Sequence, residues 1–539
     1  MDEPRERLSP WLTALLVALV ILRVLYHSTY LAEVPFALAT FSDGRQYELA
    51  ARDILDHPPL GTKPFYLQGL YAYQMALPMA IRAWVSFALL LQLVIAGLTH
   101  VWFFRTLARW RGRREAGWAT AALLSFPMLA FYENKFLTGA LAVTASVAVL
   151  AAAVRVRERS TMGRWAVLGL AVGLAILARP NFALLVPVFL LGSWRSGDGR
   201  PGRLAGFALG VVIALLPMAG RNAAVTGRAT VFPAHGGGTS FYIGNNAQAR
   251  GVWNDAGGLL TGDVSRERQE LRDTLGVAPG PDAEEIAAIG RALYARGLSE
   301  IADAPGRWLW LEARKVWLML GNDTLTQDYD RLGEQEMLWT SPSVGLPFGV
   351  AFAFAVFGGG RLRGAGVVGW ALAGLVLSTL AANVLYFTSA QHRLPLVVPM
   401  AVLLPDGVRV LRSAARERRW GVLTAFFALV AASFWPRTRT TEPSAVHYYN
   451  LSVAWFYVGQ PDQAISTLDR AVALRPEHPV IRIQRARALR ERGHFERARA
   501  DLEVLEHQQG LPAWVQAQVE HERRLLQPWL VNRPPDGGS

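Results

Sequence analysis

Apolar runs alternate with short arginine clusters along most of this chain, and that alternation leaves few folds open. Runs such as Trp11 to Tyr26, Leu137 to Val154 and Val422 to Trp435 have the length and composition of segments that cross a bilayer. A 539-residue chain that is 52% hydrophobic and 18% charged is too apolar for a soluble protein of this size. The predicted class is all-α, a polytopic membrane protein.

A formal net charge of +13 would suggest a nucleic-acid partner if the arginines covered a soluble face. Instead they sit between apolar runs: Arg105 to Arg114, Arg155 to Arg164, Arg195 to Arg203, Arg361 with Arg363, and Arg409 to Arg419. Every second loop carries such a cluster, which is the positive-inside pattern. The charge therefore encodes topology, and no nucleic-acid partner is expected. Cysteine is absent, which removes disulfides and thiolate metal sites, and the ten histidines show no His-Glu-x-x-His spacing. Arg5 and Arg7 precede the first apolar run as in a signal peptide, but no small-x-small cleavage site follows. An uncleaved first span with a cytoplasmic N-terminus is expected, in a bacterial inner membrane.

With the arginine-rich loops inside, about eleven transmembrane helices are expected: 11–30, 84–104, 116–132, 137–154, 164–178, 181–194, 204–219, 344–360, 366–388, 394–411 and 421–435. The pair 164–178 and 181–194 is short, and reads either as two spans or as a re-entrant hairpin around Arg179-Pro180-Asn181. Either version leaves 31–83, Glu133 to Lys135, Arg179, 220–343, Gln391 to Arg393 and everything after Pro436 on the outer side. Residues 1–436 then form the membrane domain, with outer loops 31–83 and 220–343. Within the first loop, Gln46 to Leu55 is an amphipathic helix with Tyr47, Ala50, Ala51 and Ile54 on one face, stopped at His57-Pro58-Pro59. The second loop reads as helices near 283–303 and 306–320.

Residues 437–539 carry an internal repeat of 34 residues: Ala454, Gly459, Ala464 and Leu468 recur as Ala488, Gly493, Ala498 and Leu502. Small residues at these spacings let paired helices approach closely. The pattern resembles tetratricopeptide repeats in two copies, about 445–478 and 479–512, with a polar capping helix about 513–526. Arg485 stands where the pattern prefers Leu, and Pro534 to Ser539 reads as disordered.

On the outer side the chain places acids (Asp43, Glu133), cations (Arg45, Lys63, Arg179, Arg221, Arg393) and aromatics (Tyr47, Phe65, Tyr66, Tyr132). Their order is Ser42-Asp43-Gly44-Arg45-Gln46-Tyr47, Lys63-Pro64-Phe65, Glu133, Arg179-Pro180-Asn181, Phe241-Tyr242-Ile243-Gly244-Asn245-Asn246 and His392-Arg393-Leu394-Pro395-Leu396. This order resembles the GT-C superfamily of integral-membrane glycosyltransferases over roughly residues 10–410, in particular the bacterial relatives of protein O-mannosyltransferases and of the aminoarabinose transferase of lipid A. The resemblance implies inverting transfer of a sugar from a polyprenyl-phosphate carrier to an acceptor at the outer membrane face. It matches Asp43 to the first-loop acid, the catalytic base. Lys63 matches a lysine that contacts the donor phosphate, and Arg45, Arg393 and Arg179 are further phosphate candidates. Glu133 matches a second acid that orients the acceptor or, in some members, ligates a divalent metal; no obligatory metal or other cofactor is expected. Tyr47, Tyr66, Tyr242, Asn245 and Asn246 are candidate substrate-binding residues, since aromatic faces and amides suit saccharides. An acceptor or envelope protein is the partner expected for the repeats.

Each residue has a plainer reading beside this one. Asp43 suits a helix N-cap, Lys63 a snorkelling anchor, Arg179 and Arg393 interhelical ion pairs, and Gly-Asn-Asn an ordinary turn. Read that way throughout, the chain is a non-catalytic GT-C-derived scaffold that binds lipid phosphate and recruits partners through its repeats.

Overall fold

A computed structural model describes residues 8–194, 200–234, 236–254, 264–323, 325, 327–437 and 443–531. Among them every regular element is helical. Six helices among the described residues are long and apolar enough to cross a membrane: Pro10–Glu33, Val85–Arg111, Gly139–Glu158, Pro201–Thr226, Val367–Leu385 and Ala390–Arg416. This is an integral membrane protein. The remaining apolar runs are shorter helices, among them Met162–Ala178, Phe348–Gly358 and Trp420–Phe434. The run at 116–132 is two helices, Arg113–Leu124 and Pro127–Glu133, broken at Ser125-Phe126. Pro127 causes the break: its ring disfavours a helical residue before it and suits the first turn of the next helix.

The chain folds into two compact units. The first gathers residues 1–30, 42–327 and 340–439. In it, Met162–Ala178 lies along the helix Arg200–Thr226 through small residues on both. A Cβ on Gly169 would strike the Phe207 carbonyl, one on Gly173 the Ala214 methyl, and one on Gly210 the Ala166 carbonyl. Small residues spaced four apart on facing helices let backbones touch in a membrane. The pairs run in the same direction, so Arg179 and Arg221 emerge at the same end.

The second unit gathers residues 31–41, 328–339 and 440–539. Ala445–Tyr457 with Pro461–Leu474, and Pro479–Glu491 with Phe495–Glu506, form two helical hairpins, followed by Ala513–Val531. Gly459 and Gly493 turn the hairpins at φ +77° and +78°, a conformation open to glycine at little cost. Ala454, Ala464, Leu468, Ala488, Ala498 and Leu502 are all buried. The tail Pro534 to Ser539 lies outside the described residues. Two segments read from sequence as outer-loop chain belong to this unit: Phe36 and Phe41 lie against Tyr329, with ring centroids 5.6 and 4.6 Å apart, and the Tyr448 hydroxyl donates to Glu336 at 2.8 Å.

Arg485, the residue that breaks the repeat pattern, has replaced an apolar contact with an ion-pair network. It donates to Asp501 at 2.6 and 2.7 Å and to Asp469 at 2.8 Å, and Arg482 also donates to Asp501, which is buried. Removing one partner of a buried pair leaves the other uncompensated. Arg485→Ala is therefore expected to lower the local stability of Pro479–Glu491 and Phe495–Glu506 by about 3 kcal/mol, read as faster amide hydrogen exchange in those helices. Exchange at the wild-type rate would show that the network adds nothing.

Candidate active site

The helix Ser42–Asp56 starts at Ser42, whose φ of +47° lies in the left-handed region that costs a non-glycine residue about 1 kcal/mol. It begins four residues before the amphipathic run read from sequence. Its buried face is Gly44, Tyr47, Glu48, Ala51 and Ile54, at spacings of three and four, as a helix packed on one side requires. Asp43 stands in the first turn and is only partly covered. Tyr47 points inward: its ring meets Tyr71 edge-on at 4.6 Å and its hydroxyl donates to Gln68. Burial, reinforced by the Asp43 carboxylate beside it, holds the Tyr47 phenol well above its usual pKa, so it stays a neutral donor.

Arg179 caps the end of Met162–Ala178 and is buried, with Tyr47, Tyr132 and Asp43 as its charge neighbours. His392 also lies within the field of Arg179. The Arg179 Nε has no hydrogen-bond partner among the described residues. Asp43, Tyr47, Tyr132, Arg179 and His392 therefore converge, although they come from four regions of sequence.

The loop beside them is pinned from below. Arg221 donates to the carbonyls of Leu60 at 2.8 Å and Lys63 at 2.7 Å and stacks on Phe65 at 3.7 Å. Asp53 accepts from the Thr62 hydroxyl at 2.7 Å and from the amides of Thr62 and Lys63. Burial alone would raise the Asp53 pKa; these bonds outweigh it and hold the carboxyl below its usual value. They fix the backbone of Lys63 while its side chain stays exposed. Tyr66 is half-buried on the same loop.

Glu133 occupies different surroundings. It is 2% exposed, ion-paired with Arg23, and within 2.8 Å of His100 and 3.3 Å of His27. Arg23 and His27 lie on Pro10–Glu33 and His100 on Val85–Arg111, so the carboxylate is locked between two spans. A metal would draw on this acid and these two imidazoles, but the Arg23 guanidinium already supplies the positive charge there, so the residues present do not fit one. Next to it, Lys135 is fully buried over the faces of Tyr30 and Phe131, at 4.0 and 4.1 Å. A chain of contacts links the turn to the Asp43 helix: Gln92 donates to the carbonyls of Glu133 and Lys135 at 2.9 and 2.7 Å, Tyr71 donates to Gln92 at 2.6 Å, and the Tyr71 ring meets that of Tyr47 edge-on.

The other sequence candidates are engaged elsewhere. Arg45 is partly exposed and donates to Glu48 at 2.7 Å; Arg52 joins the same carboxylate, which is fully buried. Arg393 donates to the carbonyls of Met319, Gly321 and Asp323 at 3.1, 2.8 and 2.7 Å, a cation closing the end of Pro305–Met319. Tyr242 and Asn245 lie in the helix Gly236–Asn245 and Asn246 at the bend that follows it, and all three are buried. Tyr242 donates to Glu300 at 2.8 Å, Asn245 to the Phe241 and Leu385 carbonyls, and Asn246 to those of Tyr242 and Ile243. The sequence pattern alone does not single out Arg23, His27, Gln92 and His100. The available signal is their position within apolar runs, since an ionisable residue there needs a partner.

A tetratricopeptide-repeat family profile matches residues 457–519. No curated protein sequence matches the chain. Among solved structures, the Archaeoglobus fulgidus oligosaccharyltransferase AglB in complex with an inhibitory peptide and a dolichol-phosphate is 13% identical with a TM-score of 0.38, over 86% of this chain and 59% of that one. Its apo form gives 12%, 0.41, 85% and 59%. ArnT from Cupriavidus metallidurans bound to undecaprenyl phosphate gives 15%, 0.35, 75% and 79%. The chain thus spans about three fifths of the oligosaccharyltransferase. It is similar to these solved structures at 12–15% identity, and its residues 457–519 match the tetratricopeptide-repeat profile.

Proposed function

We propose that the chain is a membrane glycosyltransferase that moves a sugar from a polyprenyl-phosphate donor to an acceptor at the outer face, with inversion. One observation supports this most: a partly exposed carboxylate, Asp43, shares its surroundings with a buried guanidinium, Arg179, whose Nε is unpartnered among the described residues. Asp43 takes the proton from the acceptor hydroxyl as its oxygen attacks the anomeric carbon. The bond from that carbon to the phosphate oxygen breaks, and the polyprenyl phosphate departs with the electron pair. Charge grows on the phosphate in this step, and Arg179 meets it with donors already in place. Lys63, exposed on the pinned loop, meets the phosphate from outside, with Arg45, paired to Glu48 at 2.7 Å, as a second cation at that edge. Tyr47 and Tyr66 border the sugar, and Glu133 holds the floor of the site through Arg23. Arg393, Tyr242, Asn245 and Asn246 act by positioning. The positive-inside pattern supports a site and repeats outside the cytoplasm, in the inner membrane of a bacterium, where the repeats dock the acceptor or an envelope protein.

The test is to incubate the purified full chain with labelled polyprenyl-phosphate sugars and envelope extract. Label should leave the carrier, and Arg179→Gln should raise the KM for donor about tenfold or more. Carrier binding without loss of label from any donor would favour the scaffold reading instead.

A further inference from the structure

The membrane unit has a second concave site, at the arginine-rich end of its helices. A cavity of about 390 Å³ is lined by Arg111, Arg157, Arg361, Arg409, Glu115 and Asp406. Arg111 ends the helix Val85–Arg111, Glu115 stands in the first turn of Arg113–Leu124, and Arg157 in the last turn of Gly139–Glu158. Arg361 lies on the short turn Gly359–Gly364, and Asp406 and Arg409 on Val397–Arg416. Roughly 24 Å of helix separates Arg409 from Arg393, so this site is remote from Asp43.

Its charges do not cancel. Asp406 is buried and accepts from Arg111 and Arg409, and Glu115 accepts from Arg409 at 3.3 Å. The two acids are thus engaged by two of the arginines. Arg361 stays 3.8 Å from Asp406 with a side chain 67% exposed, and Arg157 donates to the Ala365 carbonyl at 3.2 Å. Four guanidiniums facing two carboxylates leave an excess of positive charge around a space the size of a small-ligand site. Trp110, also on the wall, stacks with Arg111 at 4.2 Å. On the same helix Leu98, Val101 and Trp102 are exposed, so the cavity adjoins apolar surface suited to acyl chains.

We propose that this cavity binds a phosphate group, that of an anionic phospholipid in the adjoining leaflet. Guanidinium pairs match phosphate oxygens geometrically, and the cations Arg157 and Arg361 supply the attraction that Arg111 and Arg409, held by acids, do not. Acyl chains would lie along the neighbouring apolar helix faces.

Native mass spectrometry of the full chain in detergent tests this, with added phosphatidylglycerol, phosphatidylcholine or inorganic phosphate. Phosphatidylglycerol should bind in preference to phosphatidylcholine. The double substitution Arg157→Gln with Arg361→Gln should weaken it on the order of 30-fold, at about fivefold per arginine. Arg361→Gln alone, at an exposed position that the fold does not need, should give about fivefold. Equal retention of inorganic phosphate, lost in the same variants, would support the same phosphate site with a soluble ligand. Equal binding of both lipids, or phosphatidylglycerol binding unchanged by the substitutions, would overturn the proposal.

Discussion

Asp43→Asn should lower turnover by about 10²–10⁴-fold, the usual contribution of a positioned general base, with donor binding retained. The amide keeps the size and the hydrogen-bonding reach of the carboxylate, so the packing of Tyr47 on Tyr71 and the course of the helix Ser42–Asp56 should survive. What it loses is the ability to take a proton. Donor consumption and donor affinity, measured separately, distinguish a chemical defect from a binding defect. Turnover within about threefold of wild type, far short of a general base's contribution, would sink the assignment. A matched loss of affinity and rate would make Asp43 a binding residue.

Replacing Arg23 by Met should destabilise the membrane unit by about 3–5 kcal/mol, the cost of stranding a buried charge. Arg23 donates to Glu133 and also to the Leu124 carbonyl at 3.0 Å, where the helix Arg113–Leu124 ends. One side chain therefore compensates a carboxylate and closes a helix. Adding Glu133→Gln to Arg23→Met should recover much of the loss, since the uncompensated charge is gone, while the carbonyl remains unfilled. Thermal unfolding of the detergent-solubilised variants measures both. A double variant no more stable than the single would show that Arg23 acts through Leu124 and not through Glu133.

The two acids differ in how much of their setting the sequence reveals. Asp43 is legible because its surroundings are local: Ser42, Gly44 and Tyr47 announce a helix start, and the helix begins four residues earlier than its apolar face suggests. Glu133 is legible as an acid at the end of an apolar run, but its partners are not, because Arg23 lies 110 residues away and His100 lies in the middle of another span. The repeats are readable from a fixed period that backbone geometry enforces at Gly459 and Gly493. The fates of Arg393 and Asn245 are hidden for the opposite reason. Their donors go to carbonyls of distant segments, and a carbonyl leaves no mark in the sequence. The membrane helices follow from composition alone, except where Pro127 divides one and the glycines of Met162–Ala178 allow a close neighbour.

The repeat unit is assembled from three stretches of chain, 31–41, 328–339 and 440–539. The fold of this unit therefore draws on more of the chain than the repeat sequence itself. A transplant that began after Pro436 would carry the helical hairpins but leave behind Phe36, Phe41 and Tyr329, the aromatic residues that complete them. The repeats share their unit with a stretch that closes at Phe41, two positions ahead of Asp43. Moving such a unit intact means carrying 31–41 and 328–339 along with the repeats.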